Sequence, residues 1–250
     1  MSITLWLFLL PFCLLNLSTS IILVTSYCFG HQQSLLLQLR NNLVFDHTMA
    51  KKLIHWNQSD DCCEWNGVEC NKGLVIALDI SQESISGGIE IFGGLLTLQY
   101  LQSLNLADNA FHSEIPPEIP KAKEFEAFEF LETLDLSSIV TSEHALKLEM
   151  PNIAMLVHNL TKIKELHLDG IAISAKEKEW SHVTNLEVLS MSSCNLSGPF
   201  DSSLAKLQYL SILQLDQNSL ASPVPESFGN LSNLTNLQLS GYESHSTACS

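Results

Sequence analysis

Positive charge is scarce in this chain: 12 Lys and Arg stand against 27 Asp and Glu, a formal net charge of −15. A polyanion without clustered basic residues does not bind nucleic acid by counterion release, so nucleic acid is excluded as a partner. Aromatic residues are few, with 11 Phe, 4 Trp and 4 Tyr in 250 residues. Catalytic signatures are missing as well. GxSxG, HExxH, GxGxxG and GxxxxGK followed by Ser or Thr do not occur, so neither an enzyme nor a resident cofactor is expected. After residue 26 no stretch approaches 18 apolar residues, so no membrane span is expected in the mature chain. Leucine is what the chain has in abundance: 44 residues, too many for a disordered tail and suited to a core built by repetition.

Residues 1–26 contain no charged side chain, and Ile3 to Leu15 is apolar apart from Thr4 and Pro11. That run is too short to span a bilayer comfortably. Val24-Thr25-Ser26 places compact residues at the −3 and −1 positions of a signal-peptidase site. A cleaved signal peptide (1–26) and an extracellular mature chain starting at Tyr27 are therefore expected. An uncleaved anchor is the competing reading, since no Lys or Arg precedes the apolar run.

Cysteine usage fits an oxidising compartment. Cys28, Cys62, Cys63 and Cys70 cluster near the mature N-terminus, while Cys194 and Cys249 stand apart. Adjacent cysteines do not easily bond each other, which leaves two of three pairings. Cys28–Cys62 with Cys63–Cys70 is the expected one, the second bridge closing a tight loop around Trp65. A zinc site is the rival, but the chain has no CxxC and secretion favours disulfides, so no metal is expected. Five sequons, at Asn57, Asn159, Asn195, Asn230 and Asn233, agree with secretion. Asn230 and Asn233 are too close for both to be fully occupied.

The body of the chain repeats. Leu101 to Pro116, Leu186 to Phe200 and Leu210 to Pro225 share a pattern LxxLxLxx followed by Asn or a substitute, then Leu. The second Leu of the LxL pair, or its equivalent, falls at Ile80, Leu106, Leu136, Leu168, Met191, Leu215 and Leu239. Alternation along a strand sends the two Leu inward and the residue between them to solvent. The Asn amide can satisfy backbone groups where the chain turns, and stacked coils bury one continuous core. Leucines three apart before each strand (Leu95, Leu98, Leu101; Leu204, Leu207, Leu210) suggest a 3₁₀-like or helical convex side. Gln32 to Phe45, with Leu36, Leu39 and Leu43, reads as a helix that caps the first coil. The expected fold is an α/β repeat solenoid: a right-handed leucine-rich-repeat superhelix, or horseshoe arc, with a parallel concave sheet and a disulfide-bonded N-terminal cap. Its expected parts are the cap at 27–72, about seven repeats at 73–240 with an irregular stretch at 116–165, and a tail at 241–250. Ile139 and Ile171 stand at the Asn position, so those turns are expected to lack that hydrogen bond.

The candidate ligand-binding residues are the solvent-facing strand positions, which form the concave surface. They are Asp79, Asn105, Asp108, Asp135, His167, Asp169, Gln214, Asp216 and Gln238, with Gln82, Lys164, Glu165 and Gln217 beside them. Together they make a polar, acidic surface suited to a basic or hydroxyl-rich partner. An alternative account is that these groups only solvate the sheet. His167 near Asp169 reads as a solvated pair, and Cys194 as a buried, inert thiol.

Several phrases carry a resemblance. SLLLQL, KLIHWN, DCCEWNGVEC, VIALDIS and ISGGI resemble the N-terminal part of plant extracellular leucine-rich-repeat receptor-like proteins. ALKLEMPN, ELHLDGIAISA, EVLSMSSCNLSGP and LDQNSLASPVPE are similar to the Verticillium wilt resistance subgroup. The resemblance implies disulfides among the cap cysteines and recognition of a protein or peptide ligand, microbial ones included, on the inner surface. It also implies signalling through a single-pass plasma-membrane anchor and an adaptor receptor kinase. Residues 116–130 are off-rhythm and the last coil is incomplete, so a truncated member located in the apoplast is expected. A secreted inhibitor of microbial cell-wall-degrading enzymes, like the polygalacturonase inhibitors, is the alternative.

Overall fold

The computed structural model describes residues 27–87, 98–111, 129–138, 147–148, 160–173, 180, 182–221 and 223–240. The expected signal segment, most of the irregular stretch 116–165, the tail 241–250, Leu95, Ile139, Asn159 and Cys249 lie outside the described residues.

The cap begins with helix α1, Gly30–Asn42, which turns Leu36 and Leu39 into the core. Arg40 Nε donates to Leu53 O at 2.6 Å and ties the helix to the rest of the cap. The helix stops three residues short of the expected Phe45. Leu43 is already extended, and β1 (Val44–Phe45) pairs antiparallel with β4 (Ile85–Gly87) of the first coil. A β-branched and an aromatic residue side by side suit a pleated partner better than another helical turn. Trp56 and Trp65 stack with ring centroids 5.1 Å apart, and Trp56 Nε1 donates to Asn66 O. The bridges are Cys28–Cys62 and Cys63–Cys70, closing separations of 34 and 7 residues. Asp61 Oδ1 lies between them, accepting from Cys28 N and Cys63 N. Donor atoms of Cys28, Asp61, Cys62 and Cys63 crowd within 4.8 Å, but bridge formation consumes the thiolates that zinc would need.

Among the described residues the main sheet has eight strands. β2 (Val68–Asn71) lies antiparallel to β3 (Leu74–Asp79). From there β5 (Ser103–Asn105), β6 (Thr133–Asp135), β8 (Glu165–His167), β10 (Val188–Ser190), β12 (Ile212–Gln214) and β14 (Asn236–Gln238) follow in parallel. Leu78, Leu104, Leu134, Leu166, Leu189 and Leu213 align across it, and all are buried. Ile80, Leu106, Leu136, Leu168, Met191 and Leu215, two residues further on in each coil, are buried too. The far side carries short parallel pairs: β7 (Lys147–Leu148) with β9 (Ala172–Ile173), and β11 (Ser197–Pro199) with β13 (Ser219–Ala221). Of the two expected leucine triplets, Leu204, Leu207 and Leu210 begin in a 3₁₀ turn, Ser202–Lys206; a second 3₁₀ turn, Glu226–Asn230, carries Phe228 where the first has Leu204, and Phe200 lies edge-on to Phe228.

The turn after each strand solves a repeated problem. Its third residue past the strand takes positive φ at Gln82, Asp108, Ser193 and Gln217, and at Gly170 a Cβ would collide with Ser138 O. The next residue is the Asn position. Asn218 Oδ1 accepts from Cys194 N and Leu196 N, both at 3.0 Å, while Nδ2 donates to Met191 O and Leu215 O. Asn109 does the same for Glu83 N, Ile85 N, Ile80 O and Leu106 O. Glu83, 1% exposed, occupies this position in the first coil and turns toward the cap. Its carboxylate accepts from the backbone of Lys51, Lys52 and Leu53 at 2.9–3.2 Å. Cys194 takes the place of the amide donor: its thiol lies 3.0 Å from Leu168 O. Ile171 fills its place with buried hydrocarbon, as expected.

Replacing Asn218 by Leu strands two buried amides and two carbonyls. It is expected to cost about 2–3 kcal/mol in urea unfolding, more than Gln217→Leu on the exposed neighbour. Bridge removal has an expected order: Cys28→Ser with Cys62→Ser costs about 4 kcal/mol, Cys63→Ser with Cys70→Ser about 2, because the longer loop gains more freedom on unfolding.

Candidate functional site: the open face of the parallel sheet

Side chains on either side of each inward Leu face away from the core. Strand register fixes two rows. The first is Ala77, Ser103, Thr133, Glu165, Val188, Ile212 and Asn236. The second is Asp79, Asn105, Asp135, His167, Ser190, Gln214 and Gln238. Five of the expected site residues besides His167 thus fall in one row, a strand spacing of ~4.8 Å apart. Asp169 and Asp216 lie two residues past their strands, in line with Ser81, Ala107, Ser137, Ser192 and Ser240. Asp108 is three past its strand, in the turn, where its Oδ2 is 3.3 Å from Gln82 Nε2.

Most of these acids already hold the chain. Asp135 Oδ1 accepts from Ser137 N at 2.9 Å, and Asn105 Oδ1 from Ala107 N at 2.9 Å. Such bonds, from a strand-end side chain to an amide two residues on, fix the turn. Asp216 Oδ1 accepts from Ser240 N and Oγ in the next coil. Asp169 accepts from Ser192 N at 2.6 Å and from the Ser190 hydroxyl. Ser190 is 1% exposed, and its hydroxyl has Asp169 Oδ1 at 2.7 Å and Gln214 Oε1 at 2.9 Å as alternative acceptors for its one proton. Among the described residues no hydrogen bond joins Ser190 to His167. His167 Nε2 is 3.9 Å from Glu165 Oε2.

Charge is unevenly spread along the face. Asp79 is paired with Lys52 Nζ at 2.7 Å and also accepts from Ser81. Burial pushes the Asp79 carboxyl up, but the bonds from Lys52 and Ser81 outweigh it and hold the group below the ordinary Asp range. Lys164 is held by Glu132 at 2.6 Å, which raises its pKa. Asp135, Glu165 and Asp169 form an acidic centre on β6 and β8. Beyond it the two rows carry no carboxylate: Ser190, Gln214, Gln238 and Asn236 surround Val188 and Ile212. Lys52, Ser190, Val188 and Ile212 were not among the expected site residues. Ser190 had a signal, since it follows Leu189 as Asn105 follows Leu104. Four sequons are described, Asn57, Asn195, Asn230 and Asn233, and none stands in either row. Asn57 Nδ2 donates to His55 O and to Asp60 Oδ2.

Residues 30–71 match the family described as leucine rich repeat N-terminal domain, and residues 100–122 and 185–207 match leucine rich repeat. The chain is a leucine-rich-repeat protein. It is similar to receptor-like protein EIX1 of Solanum lycopersicum, 31% identical over 256 residues that cover 93% of this chain and 23% of that one. It is also similar to receptor-like protein 6 of Arabidopsis thaliana, 29% identical over 274 residues, covering 85% of this chain and 28% of the relative. The chain thus spans about a quarter of the length of these relatives. Among solved structures, it is similar to the Arabidopsis receptor kinase HAESA in complex with the peptide hormone IDA and the co-receptor SERK1. That likeness has a TM-score of 0.68 and 26% identity, covering 85% of this chain and 34% of HAESA. PEPR1 in complex with AtPEP1 gives a TM-score of 0.60 at 25% identity, covering 84% and 28%. No helix among the described residues is long and apolar enough to cross a membrane.

The lowered Asp79 value has a definite sign. The folded state favours the ionised form, so its stabilisation is complete above about pH 4 and is lost as pH falls through the folded value. Lys52→Met is therefore expected to lower the melting temperature near neutral pH and to change it much less at about pH 2.

Proposed function

We propose that this leucine-rich-repeat protein is an extracellular recognition module of the plant receptor-like type, with the open face of its parallel sheet as the ligand surface and defence-related perception as its role. One observation carries the reading. Among the described residues, seven coils each deliver polar side chains to one continuous face, while the leucines on the opposite side of the same sheet are core in the first six. Supporting it, none of the described sequons stands in either row of that face, and Asp79, Asn105, Asp135, Asp169 and Asp216 are held by turn hydrogen bonds. The similarity to EIX1 and to HAESA bound to a peptide hormone agrees with a protein or peptide ligand. An adaptor receptor kinase is proposed by the same likeness, since the HAESA complex includes a co-receptor. Residues 1–26 are proposed as the signal peptide that takes the chain to the apoplast.

Three measurements test this. Secreted material is expected to begin at Tyr27 and to carry glycan at the exposed Asn195 and Asn230, read by N-terminal sequencing and peptide mass spectrometry. Retention of Met1 would overturn cleavage. Labelled microbial elicitor fractions are expected to be retained by the chain and lost by Gln214→Arg with Gln238→Arg, while Lys206→Glu on the 3₁₀ side retains them. Equal retention by all three removes the open face from the function. Inhibition of a pectin-degrading enzyme, insensitive to the two Gln→Arg changes, would favour the inhibitor alternative.

A further inference from the structure

We infer that the ligand is an extended peptide lying across the strands, with a basic side chain over β6 and β8 and a branched apolar side chain over Val188 and Ile212, about three residues apart. This rests on the open face being the recognition surface and specifies what that surface takes.

The acidic subsite follows from register. Alternation along the β8 segment places Glu165, His167 and Asp169 all on the open face, and Asp135 of β6 is the direct neighbour of His167. His167 stands among them, 3.9 Å from Glu165, and the nearest lysine is engaged to one side, with Lys164 Nζ held by Glu132 at 2.6 Å. Asp135 and Asp169 are each anchored to a backbone amide, so the carboxylates are fixed before a ligand arrives. Binding then orders few side chains on the protein's side.

The apolar subsite is the anomaly of the face. Every other first-row residue except Ala77 is polar, yet Val188 and Ile212 are register partners standing side by side, half-buried, on a surface turned to solvent. Covering them with a ligand side chain removes adjacent apolar area from water. Gln214 and Gln238 flank the pair, and carboxamides can both donate to and accept from an extended backbone.

The spacing is set by the sheet. Strands repeat every ~4.8 Å, so the midpoint of β6 and β8 lies roughly 10 Å from the midpoint of β10 and β12. An extended chain advances ~3.3 Å per residue, which puts the two anchors three residues apart. A polyanion is repelled by the first subsite, and a neutral oligosaccharide leaves both its charge and the apolar pair unmatched.

Phage-displayed random dodecapeptides panned on the full secreted chain provide the test. The expected consensus is Lys or Arg with Leu, Ile, Val or Met three positions away. A synthetic consensus peptide is expected to bind Glu165→Lys at least tenfold more weakly. Ile212→Asn is expected to lose the apolar preference and keep the basic one; Asn already stands in that row at 236, so the fold tolerates it. Unchanged melting temperatures of both variants exclude a folding defect. Enriched peptides lacking the basic residue, or a consensus indifferent to Glu165→Lys, overturn this inference and leave the recognition reading standing. No enrichment above a display control overturns both.

Discussion

Buried backbone polarity in the turns is the constraint on which this structure depends. Each coil leaves its strand inside a packed stack, where amides and carbonyls are shut off from water and costly to leave unpaired. One side-chain position per coil answers this. Asn109 and Asn218 each satisfy two amides of the preceding coil and carbonyls of both coils. Leucines supply the driving force for burial, but they are interchangeable hydrocarbon; the carboxamides fix where one coil sits on the next. Substitutes at this position differ: the Cys194 thiol keeps a bond toward Leu168 O, while Ile171 keeps none and fills the space with hydrocarbon.

The open face obeys the same economy. Its carboxylates serve the fold before they serve a ligand, since Asp79, Asp135, Asp169 and Asp216 all accept from turn amides or hydroxyls. A sequence reader who counts exposed acids as free binding groups overestimates the charge available. What remains for recognition is the pattern: an acidic centre, an apolar pair and an amide-rich end, delivered at the pitch of the sheet. Variation among repeats can then change the ligand without disturbing the stack, because the rows and the core alternate along each strand.

Much of this was legible in the sequence, for physical reasons that differ from part to part. The repeat was visible because inward leucines cannot vary without opening the core, so Leu104, Leu134 and Leu166 announce their own register. The adjacency of Cys62 and Cys63 left two pairings open, and the one expected of them, Cys28–Cys62 with Cys63–Cys70, is the one formed. The end of α1 was misjudged, because Leu43 suits both a helical face and an extended cap, and the partner that decides, Ile85–Gly87, lies over 40 residues away. The far-side pairs such as β11 with β13 escaped notice, since Ser197-Gly198-Pro199 carries no strand pattern. Glu83 was overlooked for a different reason. Aligned with Asn109 and Asn218 it stands in the Asn position, but a carboxylate there makes sense only once the cap's amides are seen to face it.

Lys52 sits where three parts of the molecule meet. Its amide binds Glu83, its ammonium binds Asp79 at the first position of the open face, and the chain it belongs to is folded by two cystines. The shape of the surface at that end is therefore not a property of the repeats alone. A repeat array grafted onto a foreign cap would inherit the leucines and lose this corner, and thiol-reducing surroundings would loosen the same corner first.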